Sequence, residues 1–138
     1  MIPIEYFILI AISSPLLVCL TTPFLSGKPL LRDSLGPIGG IASSWSSIEL
    51  VKAVLNGAQP RLEVLQIAEG VSIGFTVTPL GALFGLVASV LWIFAGIYSV
   101  GYMRGNNENN QTRFSTFYAI AVHAALCNYL GLGYNWFL

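Results

Sequence analysis

Apolar residues run along this chain in long blocks, and the polar residues between them gather into a few short islands. A membrane-crossing helix takes about 20 predominantly apolar residues. By that measure the pattern predicts four spans, at residues 4–24, 35–55, 77–103 and 114–134. The third, Val77 to Met103, has no charge inside it. It also lacks the polar face, recurring every 3.6 residues, that a soluble bundle helix would show. The second, Leu35 to Leu55, is the weakest, because "SSWSS" is followed by Glu49 and Lys52. The fourth begins at Phe114 and is interrupted by His123 and Asn128.

Two islands carry the rest of the pattern. "RGNNENNQTR", from Arg104 to Arg113, is a short connection whose Asn and Gly residues favour a turn. "NGAQPRLEVLQIAEGVSIGFTVTP", from Asn56 to Pro79, is too polar and broken to span, and its "SIGFTV" alternates as a strand does. The predicted fold is an all-α membrane protein, a single transmembrane domain over residues 1–138. A short extracytoplasmic β-hairpin or extended segment lies between its second and third helices.

Composition agrees with that class. Of 138 residues 55% are hydrophobic and 9% are charged, where a soluble domain carries about 25% charged. Six acidic and six basic residues cannot clothe a soluble surface of this size. The first block lacks the basic leader and the small-residue cleavage site of a secretory signal, so it reads as a span. Lys28, Arg32, Arg104 and Arg113 fall on one side of the predicted bundle, and Lys52 and Arg61 on the other. Four against two places the first and third loops in the cytoplasm and both termini outside.

The chemistry-bearing residues are sparse. No nucleophile–base pair, carboxylate dyad or phosphate loop is present, so no enzyme activity and no cofactor are expected. Cys19 and Cys127 lie inside spans without metal-ligand spacing and read as packing residues. Zero net charge argues against nucleic acid as a partner.

"EGVSIGFTVTPLGALFGLVASVLWIFAGIYSVGYMRGNNENNQTRFSTFYAIA" resembles the N-terminal part of the antiporter-like membrane subunits. These are the large antiporter-like subunits of the multisubunit Mrp-type monovalent cation/proton antiporters and their relatives in complex I and membrane-bound hydrogenases. The matching positions are Pro79, Leu80 and Gly81 at a helix start, then Tyr98, Ser99, Gly101, Tyr102, Met103 and Arg104 at its end. Arg113 and Phe114 close the Asn-rich turn, and "GKPLLRDS" is similar to the family's first cytoplasmic loop. Thr78 stands where the family usually has Asp.

The resemblance implies an ion-translocating complex in a bacterial inner membrane. Its partners would be the lipid bilayer, protons, sodium or potassium, and other membrane subunits, above all the polypeptide carrying the remaining antiporter-like helices. The family's charged relay lies on helices beyond these four, so the chain is expected to be a truncated or split part that conducts nothing alone. "YNWFL" reads as the opening of a fifth span. The rival expectation is a structural or assembly subunit of a respiratory, hydrogenase or inorganic-carbon-uptake complex.

His123, about halfway along the fourth span, is the one ion-pathway candidate, since a titratable residue at that depth is a functional hypothesis by default. Packing against a neighbouring helix is the favoured role. Glu49 and Lys52, three apart on one helix face, read as a neutralising pair at the membrane edge. Gly36, Gly39 and Gly40, and then Gly81, Gly85 and Ala88, read as places of close helix approach.

Overall fold

The computed structural model describes residues 2–136, with side chains through residue 131. Its elements run α1 (Ile4–Thr21), a 3-10 turn (Thr22–Leu25), α2 (Pro29–Leu55), β1 (Arg61–Ala68), β2 (Val71–Thr76), α3 (Pro79–Gly105), α4 (Gln111–Tyr129) and β3 (Leu132–Trp136). Pro29 and Pro79 each stand at a first helical position, where the missing N–H costs nothing. The four helices pack in a ring, each against its neighbours in sequence and α1 against α4.

The expected hairpin is present. β1 and β2 pair antiparallel, with Ala68 opposite Val71 across a two-residue turn, and β3 pairs antiparallel with β2. The sheet covers the end of the bundle where α1 starts and α2 finishes. Phe75 and Val77 are buried there with Ile8, Leu50, Val54, Ala82 and Leu130. A second cluster, Val18, Trp92 and Ala119, lies towards the opposite end.

Several boundaries differ from expectation. α2 begins at Pro29, so most of "GKPLLRDS" is helix and not loop. α4 ends at Tyr129, and the segment expected to finish the fourth span and open a fifth is strand β3 instead. The physical reason is Gly131, whose φ of +79° turns the chain out of the helix. Its carbonyl then accepts from the amide of Thr76, starting the pairing with β2. Phe137 and Leu138 of that expected span lie outside the described residues.

Among the described residues two helical segments are long and apolar enough to cross a membrane, Ile4–Leu25 and Pro79–Gly105. α2 falls short because it holds four serines around Trp45 and four charged residues; α4 holds Arg113, His123 and Asn128. Beside these apolar clusters the helices bury several serines and expose many large apolar side chains. Ser14, Ser43, Ser44, Ser46, Ser47 and Ser89 are buried, while Leu17, Leu20, Leu80, Leu91, Phe94 and Phe117 are more than half exposed.

Candidate functional site

The polar side chains of the helices form two separate groups. The deeper one is organised by Pro15, fully buried inside α1. Proline has no amide hydrogen, so the carbonyl of Ala11, four residues back, loses its helical donor. Ser43 of α2 supplies one: its hydroxyl donates to Ala11 O at 3.1 Å, and Ser14 donates in turn to Ser43 Oγ. The next carbonyl, Ile12 O, receives His123 of α4, whose Nδ1 lies 3.0 Å away. A carbonyl only accepts, so Nδ1 carries the proton. In the neutral ring Nε2 is then an acceptor, and the Cys127 thiol one turn on donates to it at 3.6 Å.

α1 is thus tied at its proline to α2 on one side and α4 on the other. Ser47 and Ser89 continue the arrangement between α2 and α3, 3.5 Å apart. The packing also needs small residues. A Cβ at Gly39 would come within 2.8 Å of the Trp92 ring and one at Gly40 within 2.7 Å of Ile93, whereas nothing approaches Gly36.

The second group lies at the end of the bundle away from the sheet. Arg32 and Asp33, at the start of α2, have side chains only 7% and 8% exposed. Arg32 Nε donates to Asp33 Oδ1 at 2.7 Å, and its two terminal nitrogens reach Thr112 Oγ1 and Gln111 Oε1 on α4. Arg104, at the end of α3, donates to Asp33 Oδ2. Gln111 donates to the carbonyls of Met103 and Glu108. The Arg32–Asp33 pair therefore ties three helices, the carboxylate linking α2 to α3 and the Arg32 guanidinium linking α2 to α4. The connection it braces runs through Asn107 and Asn110, both left-handed with φ of 49° and 63°, a conformation Asn tolerates better than most residues.

The residues singled out from the sequence take up these places unevenly. His123 joins the deep group, and Arg104 the end group. Thr78 caps α3 by accepting from the Gly81 amide at 3.1 Å. Pro79 and Leu80 form the exposed first turn of α3. A Cβ on Gly81 would collide with the carbonyl of Tyr129, which fixes the approach of α3 to the end of α4. Ser99 donates to its own helix at Gly96 O, Tyr98 and Tyr102 stack on each other, and Gly101 meets nothing. Arg113 is exposed at the start of α4. Glu49 and Lys52 pair at 2.7 Å on the outer face of α2 and touch neither polar group.

The Arg32–Asp33 centre and the role of Pro15 are not among the features expected from the sequence. A proline within an apolar run was the available signal for the second; for the first it was an adjacent Arg-Asp pair near the predicted start of a span. Among the described residues no group of three or more His, Cys, Asp or Glu side chains is arranged to hold a metal ion. Comparison with family models, curated proteins and solved structures finds no significant match.

Proposed function

We propose that this chain is an integral membrane subunit that contributes four helices to a proton/monovalent-cation antiporter-like complex, while the ion itself crosses through a partner polypeptide. The observation that carries the membrane reading is how much large apolar surface the helices expose while serines are buried between them. Buried serines with exposed Leu and Phe suit a bundle whose solvent is lipid. The freed carbonyl of Ala11 supports it further, because a proline inside a span is tolerated where neighbouring helices supply donors.

The transport reading rests on the resemblance of the Pro79-to-Phe114 segment to the antiporter-like subunits. Its restriction to a helper role rests on chemistry. An ion path needs ionisable groups in a hydrated interior. Here the deep group consists of hydroxyls, carbonyls, one imidazole and one thiol. His123 faces a backbone carbonyl that cannot pass a proton on. The same observation favours a second reading, a structural subunit of a respiratory, hydrogenase or inorganic-carbon-uptake complex. In either case the charge bias supports a cytoplasmic Arg32–Asp33–Arg104 end with the sheet and both termini outside, and the resemblance supports a bacterial inner membrane.

Deleting the chain from the intact complex and assaying inverted vesicles separates the readings. Loss of sodium- or potassium-dependent proton exchange, with the other subunits still assembled, supports the first. Failure of the complex to assemble supports the second. Robust ion-dependent collapse of a pH gradient by the purified chain alone would contradict both.

A further inference from the structure

A cavity of about 30 Å³ lies between the four helices beside the Arg32–Asp33 pair, which lines it. Its inner wall is Thr22 and Trp92, each 1% exposed. A smaller cavity, about 10 Å³, shares Asp33, Ser99 and Ser115 with it and continues to Gln111. The larger is roomy enough for a water molecule, which needs about two to four polar partners to stay.

Three features make and line that space. Gly36 and Gly96 both border it. A Cβ would meet nothing within 4 Å at Gly36, and only Pro37, from 3.9 Å, at Gly96. The space is therefore open because two methyl groups that would fit are missing. The second feature is Pro37, inside α2. It has no amide hydrogen, so the carbonyl of Asp33, four residues back, loses its helical donor. At Pro15 the corresponding carbonyl receives the Ser43 hydroxyl, but no side chain among the described residues donates to the Asp33 carbonyl. Asp33, Gly36 and Pro37 share the face of α2 that lines the cavity, so that carbonyl opens along it. The third feature is a set of hydroxyls. Those of Ser115 and Tyr118, from α4, have no hydrogen-bond partner among the described residues. Ser99, from α3, donates to Gly96 O and keeps its oxygen lone pairs.

We infer that this cavity binds a water molecule, which donates to the Asp33 carbonyl and accepts from the hydroxyls of α4. It supplies across Pro37 the hydrogen that Ser43 supplies across Pro15. Charge favours water over a metal cation here, because the guanidinium groups of Arg32 and Arg104 outnumber the single Asp33 carboxylate. The same water is held whether lipid or solvent surrounds the bundle, so the site does not depend on the function proposed above.

Synchrotron hydroxyl-radical footprinting tests this on the full chain in lipid nanodiscs, because radicals form from bound water and oxidise the side chains beside it. Trp92, although 1% exposed, should be oxidised. Gly36→Ala with Gly96→Ala fills the cavity without a clash and should lower Trp92 oxidation several-fold. Trp45, 67% exposed on α2, should keep its wild-type level, which also shows that the variant folds. Should the pair unfold the chain, either alanine alone carries the same expectation in smaller measure. No oxidation of Trp92 in the wild-type chain, or oxidation that the alanines leave unchanged, would overturn the inference. So would a Trp92 signal that falls when sodium or potassium replaces choline in the buffer, since a cation would then occupy the site.

Discussion

His123 donates through Nδ1 to the carbonyl oxygen of Ile12, 3.0 Å away and three residues before Pro15. The only histidine in the chain therefore bonds the backbone of a neighbouring helix, one residue on from the carbonyl that Pro15 leaves without an N–H donor. That placement accounts for an ionisable side chain in an otherwise apolar stretch without invoking transport.

The consequence is testable by substitution. His123→Gln keeps an N–H donor but cannot titrate, so the complex should assemble and transport as wild type. His123→Ala removes the donor and should cost about 1–3 kcal/mol, read as a lowered unfolding midpoint of the purified protein in detergent. A Gln variant that assembles normally and transports nothing would assign His123 to the ion path instead.

Asp33 should matter far more to stability than Arg104, although they share a bond. Asp33→Ala leaves Arg32, 7% exposed, buried without its counter-ion, a loss of about 3–5 kcal/mol. Arg104 is 41% exposed, and Arg104→Ala should cost about 0–1 kcal/mol. Equal effects in denaturant unfolding would mean that the ion pairs are not arranged as described.

Much of this is legible in the chain, and the exceptions share a cause. The four helices, the hairpin and the Asn-rich turn follow from local signals: apolar runs, strand alternation, and residues that accept unusual backbone angles. The Glu49–Lys52 pair is visible because its members are three apart on one helix. Arg32 and Gln111, by contrast, are 79 residues apart, and Ala11 and Ser43 are 32 apart. Nothing local in the sequence announces which helix completes which polar group. β3 departs from its expected helix for a related reason. Its apolar composition suits a span, and only Gly131 and the waiting edge of β2 turn it into a strand.

Two glycines separate packing from composition. Gly81→Ala drives a methyl group into the Tyr129 carbonyl, and forcing such a contact should cost about 1–3 kcal/mol. Gly101→Ala meets nothing and should be neutral or stabilising by up to about 1 kcal/mol, as expected inside a helix. Unfolding midpoints that move in the same direction for both would refute the close approach of α3 to α4.

Sidedness can be read with two cysteines in a chain whose native Cys19 and Cys127 are replaced by alanine. Glu108→Cys sits in the turn between α3 and α4, and Gln66→Cys on exposed β1. With the arginine-rich end inside, a membrane-impermeant maleimide added to intact cells should label position 66 and leave position 108 unmodified until the cells are opened. The reverse pattern would invert the proposed topology.

The tie between Pro15 and Ser43 gives the most stringent test, because it predicts a coupling rather than a loss. Ser43→Ala alone strips the nearer donor from the Ala11 carbonyl, which has no backbone N–H partner while proline occupies position 15 and keeps only the Ser14 hydroxyl at 3.5 Å. The expected cost is about 1–3 kcal/mol. Pro15→Ala restores an amide hydrogen at that position and lets α1 satisfy the carbonyl itself. It also removes part of a fully buried ring, so the single substitution mixes a gain with a cavity and decides little on its own. In a chain already carrying Pro15→Ala, however, Ser43→Ala should cost little beyond its bond with Ser14. The double-mutant cycle should then show a coupling of about 0.5–3 kcal/mol. If the two effects simply add, Ser43 is not standing in for the missing amide, and the proline would be tolerated for some other reason.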